Sequence, residues 1–571
     1  NTSFVNKLTD STISLDILAK DPLAKVKGFQ EKPHPAIPLP RDLFEPERAN
    51  AMGLDLTDVD RLRHLKSQMD PLEKKSYTAG PFIKGKLIIS ENKSESYEPA
   101  RHSQKLGEVH WATDIHIEEA LKTARSGFAD WSKVSLEKRA AILNKAAALL
   151  EERIPQFISL IVREGGRTLG DALSEVREAI DFCRYYAVQA REDLLDKALR
   201  GPTGETNVLS SMGRGTFVCI SPWNFPLAIF MGQMTAALVA GNSVIAKPAS
   251  QTPMIALMAV KLLHEAGVPV NTLTLLPASG SLIGSKLLPD PRVNGVVFTG
   301  STETAWTINQ TLAQKKGTII PFIAETGGIN AMIVDSSALL EQVVHDVIVS
   351  AFQSAGQRCS ALRILYIQED IADALLEMLI GATAELTMGD PGLLKTDIGP
   401  VIDKGAQESL LAYAQKRVQS GKLLYKLPLH GTLGSGSFVT PHIFELEKAE
   451  DLTCEIFGPM LHVVRYKANQ QDQVIASING THYGLTFGIH SRIERTIEYI
   501  QSRVQAGNIY VNRSIIGAVV GVQPFGGHGL SGTGPKAGGP HYLARFTTEK
   551  TVTVDTTASG GNATLLTLGE D

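Results

Sequence analysis

Four cysteines occur in the 571 residues, Cys183, Cys219, Cys359 and Cys454, and one of them stands where packing does not explain it. Cys359 lies in the run Gly356-Gln357-Arg358-Cys359-Ser360-Ala361. A thiol set between a glycine, an arginine and a serine has little apolar packing available. A nucleophilic cysteine must be reachable and must have its thiolate stabilised nearby. Arg358 and exposed backbone N–H groups could supply that, and Gly356 lets the chain turn after the helical stretch ending in "SAFQSAG". Cys359 therefore reads as a nucleophile. Cys183, in "EVREAIDFCRYYA", and Cys219, in "TFVCI", read as small buried hydrophobes. No two of the four have C-x-x-C spacing, and the set fits neither a zinc site nor a disulfide framework. No metal is expected, and a reducing, cytoplasmic compartment is the simplest reading.

Further candidates follow apolar runs. After "TFVCIS" two prolines bracket Asn224 in Pro222-Trp223-Asn224-Phe225-Pro226, a stiff loop suited to a side-chain amide that donates at a fixed point; a purely structural turn is the plainer alternative. After "NSVIA" come Lys247 and, three residues on, Ser250. Such a pair could hold the ribose hydroxyls or phosphate of a nucleotide, although most strand-end lysines are simply solvated. Thr299-Gly300-Ser301 opens a helical stretch whose N-terminus would attract an anion such as a pyrophosphate. No G-x-G-x-x-G accompanies it, so the common dinucleotide fingerprint is missing. Glu325 precedes Thr326-Gly327-Gly328 and has the chemistry of a general base, or of an ordinary loop carboxylate.

The elements that must position these residues are short and apolar. "TFVCIS", "NSVIAKPA", "TLTLLP", "VNGVVFTG", "NAMIVD", "RILYIQ", "GLTFGIHS" and "GNIYVN" are predicted strands. Helices are predicted between them, for example over 253–266, 302–315 and 337–355. Alternation of this kind means an α/β fold with parallel sheets covered on both faces, which places ligands at the carboxyl ends of strands. Upstream, "SLEKRAAILNKAAALLEERI" has helical spacing, with Ser135 as N-cap, Glu137 in the first turn and an interruption at Pro155. Residues 1 to about 80 are rich in proline and charge and are expected to form a linker or wrapping arm. The chain is too long for one core, and two or three domains are expected. Hydrophobic residues make up 43%, charged residues 20% and the formal net charge is −4. This is the balance of a soluble protein and argues against a nucleic-acid surface. No apolar run reaches the ~18 residues of a membrane span. The N-terminus has no signal-peptide pattern and no initiator methionine, so a piece of a longer chain is expected.

Seven short motifs, "SPWNFP", "KPASQTP", "FTGSTE", "ETGG", "GQRCSA", "EIFGP" and "PFGG", occur in this order. Together they resemble the aldehyde dehydrogenase superfamily over roughly residues 85 to 560. "AETGGINAMIVDSSALLEQVV", "GAVVGVQPFGGHGLSGTGPKAGGPHYL" and the ends of the chain narrow the resemblance to the aldehyde dehydrogenase half of bifunctional proline utilisation A.

That resemblance implies a Rossmann-type NAD-binding domain over 81–195 and 216–327 and an α/β catalytic domain over 328–527. It also implies an oligomerisation β-flap from 196–215 and 543–560, with a tail over 561–571. The implied activity is NAD-dependent oxidation of L-glutamate γ-semialdehyde to L-glutamate, with another aldehyde on the same fold as the alternative. Cys359 would attack the aldehyde, the Asn224 amide and the Cys359 backbone N–H would stabilise the oxyanion, and Glu325 would activate the hydrolytic water. The cofactor would be held by Ile220, Ser221, Pro222, Trp223, Lys247, Ser250, Gly284, Phe298, Thr299, Gly300, Ser301, Thr326, Gly327, Glu455 and Phe457. Phe225, Arg358, Ser360, Gly517, Ala518 and Phe525 would meet the substrate, and Cys454 would be a bystander. One departure stands out: many NAD-dependent relatives have glutamate where this chain has Ser250, which loosens discrimination against NADP. A homodimer is expected, as is a proline dehydrogenase half in the longer chain, with membrane contact only through that missing half.

Overall fold

The computed structural model of the chain describes residues 8–28, 37–420, 422–429 and 433–559. The tail expected over 561–571 lies outside them, as do residues 1–7 and 29–36 of the expected arm. The chain divides into two compact units, Asn1–Met52 and Gly53–Asp571. The small unit holds short helices at Leu15–Leu18 and Pro22–Lys27 and a single turn at Pro40–Asp42, tied by the Asn50 side chain to the Pro40 carbonyl at 2.8 Å.

The arm is shorter than expected. Residues 53–80 belong to the large unit, where Val59–Met69 is a helix and Tyr77–Ala79 pairs in parallel with Gly107–Val109. The physical reason is local. Proline is dense only up to Pro46, and Asp58 caps the helix by accepting from the backbone N–H groups of Asp60 and Arg61. Downstream, Ser135 caps Leu136–Glu152 by accepting from the Lys138 N–H, and Pro155 opens a new helix, Ile154–Gly165.

Two seven-stranded sheets organise the large unit. In the first, the spatial order is Phe322–Glu325, Val293–Thr299, Thr216–Ile220, Ser243–Lys247, Leu273–Leu275, Phe82–Ile83 and Lys86–Leu87. The first five strands are parallel, Phe82–Ile83 runs against them, and Lys86–Leu87 pairs antiparallel with Phe82–Ile83. From Thr216–Ile220 the chain builds outward to Leu273–Leu275, then returns to lay Val293–Thr299 on the opposite side. A crevice opens at that reversal, beyond the carboxyl ends of the two adjoining strands.

In the second sheet the order is Lys422–Lys426, His442–Glu445, Met460–Tyr466, Ile364–Gln368, Ala331–Val334, Thr486–His490 and Asn508–Val511, parallel but for the first strand. Its central strands are buried, and their side chains belong to one apolar core with the helix Leu340–Phe352. That helix is shorter than the predicted 337–355 because its flanks leave helical geometry. Asp335 draws Ser337 into a turn before it, and Ser354 and Ala355 take left-handed backbone angles after it.

A third, small sheet joins distant segments: Thr547–Asp555 pairs antiparallel with Glu205–Gly213 over nine positions, and Lys197–Leu199 adds the far edge. Among the described residues no helix is long and apolar enough to cross a membrane, and no group of three or more His, Cys, Asp or Glu is placed to hold a metal ion.

Candidate active site

The reversal in the first sheet positions the first half of the site. Gln233, on the buried helix Ala228–Val239, accepts from the Ser221 hydroxyl at 2.8 Å and donates to Ile220 O and to Thr299 Oγ1 at 3.2 and 3.0 Å. One amide thus clamps the ends of both strands that flank the crevice. Gly300 donates its N–H to the Glu325 carbonyl, and Ser301 caps the 13-residue helix Thr302–Gln314.

A cavity of about 310 Å³ opens there. Eleven expected residues line it, Pro222, Trp223, Asn224, Thr299, Gly300, Ser301, Thr326, Gly327, Cys359, Glu455 and Phe457, together with Thr302, Glu303, Cys454 and Tyr483. They come from both sheets and from positions more than 200 residues apart. Ile220, Ser221 and Phe298 are buried behind this lining.

The nucleophile loop is held tightly. Asn330 Nδ2 donates to the Cys359 carbonyl at 2.6 Å and to Ala361 O at 2.9 Å. The fully buried Arg363 donates to the carbonyls of Gly356 and Arg358 and forms an ion pair with Glu455 at 3.2 Å, linking the cysteine loop to "EIFGP". Asn224 Nδ2 donates to Gln357 O at 3.2 Å, which leaves its second N–H for another acceptor. Arg167 donates to the Asn224 carbonyl at 2.6 Å. Burial pushes the Cys359 thiol up to about 12, and the nearby Glu455 and Glu325 carboxylates add to the rise.

Arg358 departs from expectation on two counts. Its guanidinium is buried, paired with Asp171 at 2.7 Å and bonded to Ser354 Oγ at 2.9 Å, and it is absent from the cavity lining. It therefore neither stabilises the thiolate nor meets a ligand there; the acidic partner 187 positions upstream was not legible locally. Cys454, expected as a bystander, is exposed and lines the same cavity as Cys359. Cys183 and Cys219 are buried, as expected.

Glu325 sits behind the cavity in a cradle of glycines. A Cβ on Gly526 or Gly532 would lie 2.8 Å from one of its oxygens, and the Gly527 N–H donates to Oε2 at 3.1 Å. Among the described residues Oε1 is buried without a hydrogen-bond partner. Burial lifts this carboxyl to about 8, opposed by the Gly527 N–H and the Lys536 charge. Glu455 lies against Gly327, where a Cβ would fall 1.8 Å from its Oε2, and Trp223 meets the Phe457 ring edge-on at 5.5 Å.

A second cavity, of about 720 Å³, is lined by Ser250 with Asn92, Trp111, Thr113, Asp114, Ser279, Ser281, Leu282 and Ser285. Gly284 lies in the adjoining turn Ile283–Leu287, with open space where a side chain would project. Lys247 is half-buried, and desolvation lowers its ammonium to about 8, so it is not the plain solvated lysine of a strand end. The remaining candidates, Phe225, Ser360, Gly517, Ala518 and Phe525, lie outside both linings. Phe225 is stacked under Arg167 and Arg358, at 4.6 and 5.4 Å from its centroid. Phe525 pairs its backbone with Ala537. Gly517 is exposed, with φ at 76°.

Comparison with known proteins bears on the same residues. The model of the aldehyde dehydrogenase family matches residues 88–552, which contain every group just described. The chain belongs to the aldehyde dehydrogenase family. Within it, the chain is similar to the bifunctional protein PutA of Klebsiella aerogenes, 48% identical over 560 residues, covering 96% of this chain and 42% of that protein. It thus spans about two fifths of the length of that relative. It is also similar to 1-pyrroline-5-carboxylate dehydrogenase of Geobacillus thermodenitrificans, 38% identical, covering 82% of this chain and 92% of the relative. A solved structure of 1-pyrroline-5-carboxylate dehydrogenase from Thermus with bound NAD superposes with a TM-score of 0.85 at 32% identity, covering 90% of this chain and all of that one. The aldehyde dehydrogenase fold, with its two parallel sheets, is therefore the fold of this chain.

Sequence reasoning missed Asp171, Gln233, Arg363, Tyr483 and Lys536. Asp171, Gln233, Arg363 and Lys536 act through partners remote in sequence, which no local pattern marks, and Tyr483 lines the cavity from a short strand that no motif singled out.

Proposed function

We propose that this chain oxidises L-glutamate γ-semialdehyde, the open form of 1-pyrroline-5-carboxylate, to L-glutamate with NAD, the second step of proline breakdown. The observation that carries the reading is one cavity bringing Cys359, Asn224, Glu455 and the strand-end residues together, in a chain similar over 82% of its length to a 1-pyrroline-5-carboxylate dehydrogenase. Its residues fit a dinucleotide. Two cavities lie at strand ends, a helix N-terminus capped by Ser301 faces one of them, and Gly300 and Gly327 keep the walls clear where a Cβ would strike Phe298 or Glu455.

In this reading the Cys359 thiol gives its proton to water and Sγ adds to the aldehyde carbon. The Asn224 amide, aimed by its bond to Gln357 O, and the Cys359 N–H donate to the oxyanion of the thiohemiacetal. NAD, when bound, supplies the hydride acceptor. The Cys359 thioester that results is hydrolysed by water that gives a proton to Glu325; the C–S bond breaks and the thiol is restored. Glu455, fixed by Arg363, and Phe457 would hold the nicotinamide end, and Ser250 with Lys247 the adenosine end. Ser360, Gly517 and Ala518 would take the substrate carboxylate, with Phe225 and Phe525 against its chain. The chain would be the aldehyde dehydrogenase half of a cytoplasmic bifunctional protein that also carries proline dehydrogenase.

The test is NADH formation from glutamate γ-semialdehyde and from a panel of other aldehydes, before and after alkylation of Cys359. Preference for the semialdehyde and loss on alkylation support the reading; a different preferred aldehyde moves it to the alternative on the same fold. Because Ser250 lines the second cavity, NADP is expected to be accepted as well. Ser250→Glu should lower kcat/KM for NADP relative to NAD, and an unchanged ratio would mean that position 250 does not read the ribose.

A further inference from the structure

We propose that Asp171 is a positioning residue for the nucleophile: its carboxylate latches the strained loop from which Cys359 is presented. The proposal rests on the reading of Cys359 as nucleophile and adds to it a residue 188 positions away that touches no ligand.

Three consecutive residues before the cysteine, Ser354, Ala355 and Gly356, have φ of 58°, 53° and 67°. Only glycine takes such angles freely, and two of the three are not glycine. Strain of this kind persists only where surrounding contacts over-determine it. Here they do. Asp171, in the first turn of the helix Leu169–Asp193, is 1% exposed and accepts three hydrogen bonds from the loop. Oδ1 accepts from Gln353 Nε2 and from Arg358 Nη2, each at 2.7 Å, and Oδ2 accepts from Ser354 Oγ at 2.8 Å. Arg358 Nε closes the ring by donating to Ser354 Oγ at 2.9 Å. The donors at 353, 354 and 358 bracket the left-handed run on both sides, and the last adjoins Cys359.

Both ends of the latch are buried, so nothing from solvent replaces it. Removing the carboxylate would leave the Arg358 charge uncompensated in the interior, and loss of one partner of a buried pair costs far more than the pair contributes. The Arg167 charge also bears on Asp171, but Arg167 makes no bond to the loop. On the far side Gly356 is pressed against the Gly458 carbonyl, where a Cβ would sit 2.2 Å from the oxygen. The loop is thus squeezed between a backbone wall and one carboxylate. Freed from Asp171, Ser354 and Ala355 relax toward ordinary angles and Cys359 moves relative to Asn224.

The near-isosteric Asp171→Asn is the direct test, because it puts an NH2 where the loop presents donors. The first-turnover burst of NADH should slow by about 100-fold, as for a nucleophile displaced by about 1 Å. Alkylation of Cys359 by iodoacetamide, followed by mass spectrometry, should change with it, while NAD binding, read by tryptophan fluorescence, should stay as in the wild type. Adding Ala355→Gly, which makes one left-handed position cheap, should recover much of the lost burst. A wild-type burst in Asp171→Asn overturns the proposal. So does a lost burst that Ala355→Gly leaves unrecovered, which would mark a merely structural role. Should Asp171→Asn not fold, Ser354→Ala removes one latch donor alone; a slower burst at unchanged KM supports the latch, and a normal burst overturns it. Cys359→Ala separates the two layers: if it still forms NADH, the nucleophile assignment itself fails.

Discussion

Asn224 and Glu325 carry the sharpest expectations at the scale of single residues. Asn224→Ala removes one oxyanion donor and should lower kcat by about 100- to 1000-fold, equivalent to ~3 kcal/mol, with little change in cofactor KM. Glu325 must be ionised to take a proton from water, and burial has lifted it to about 8. Hydrolysis of the thioester should therefore speed up as pH rises through about 8, and Glu325→Gln should keep the NADH burst while stopping turnover. The same shift has a cost in stability. Between the ordinary carboxyl value and about 8 the folded chain holds a proton that the unfolded chain has released, so stability falls as pH rises through that window. Glu325→Gln should then melt higher than wild type above pH 8 and alike at low pH. Asn224 and Glu325 stood out in the sequence because each follows an apolar run with breaking residues beside it, and Cys359 because its neighbours offer it little packing. The Arg358 contact was misread because its partner, Asp171, lies in a distant helix.

Whole elements show why glycines recur around the cavity. Gly327 gives up its side chain so that the Glu455 carboxylate can lie against the backbone, 1.8 Å from where a Cβ would be. Gly327→Ala should push Glu455 off Arg363 and raise the KM for NAD, while alkylation of Cys359 proceeds as in wild type. If NAD binding is unchanged, Glu455 does not hold the cofactor. Strands such as Thr216–Ile220 and Ile364–Gln368 were readable because every residue in them is buried, so the sequence runs apolar without a break. Met460–Tyr466 and His442–Glu445 escaped because histidines interrupt them. His462 is fully buried but satisfied, by Tyr413 Oη at 2.7 Å and the Arg363 carbonyl at 3.0 Å, which no local pattern reveals.

For the molecule as a whole, the small sheet built from Lys197–Leu199, Glu205–Gly213 and Thr547–Asp555 leaves Leu199, Met212, Val552 and Val554 exposed. Sheet edges with apolar side chains seek partners, and we infer that this one joins two copies. Val552→Lys with Val554→Lys should shift sedimentation at micromolar concentration from dimer to monomer and leave Cys359 alkylation unaltered; a wild-type chain that sediments as a monomer contradicts the inference. The alternating residues of "KTVTVDTT" made this sheet legible, whereas the proline-rich beginning hid the helix at Val59–Met69, whose cap at Asp58 lies past the last dense prolines. The central claim is that Cys359 forms a thioester during NAD-dependent oxidation of glutamate γ-semialdehyde, and mass spectrometry of Glu325→Gln mixed with both substrates tests it most directly. The account predicts one glutamyl adduct on Cys359 with one NADH per chain; NADH released without an adduct there, or an adduct on another residue, would contradict it.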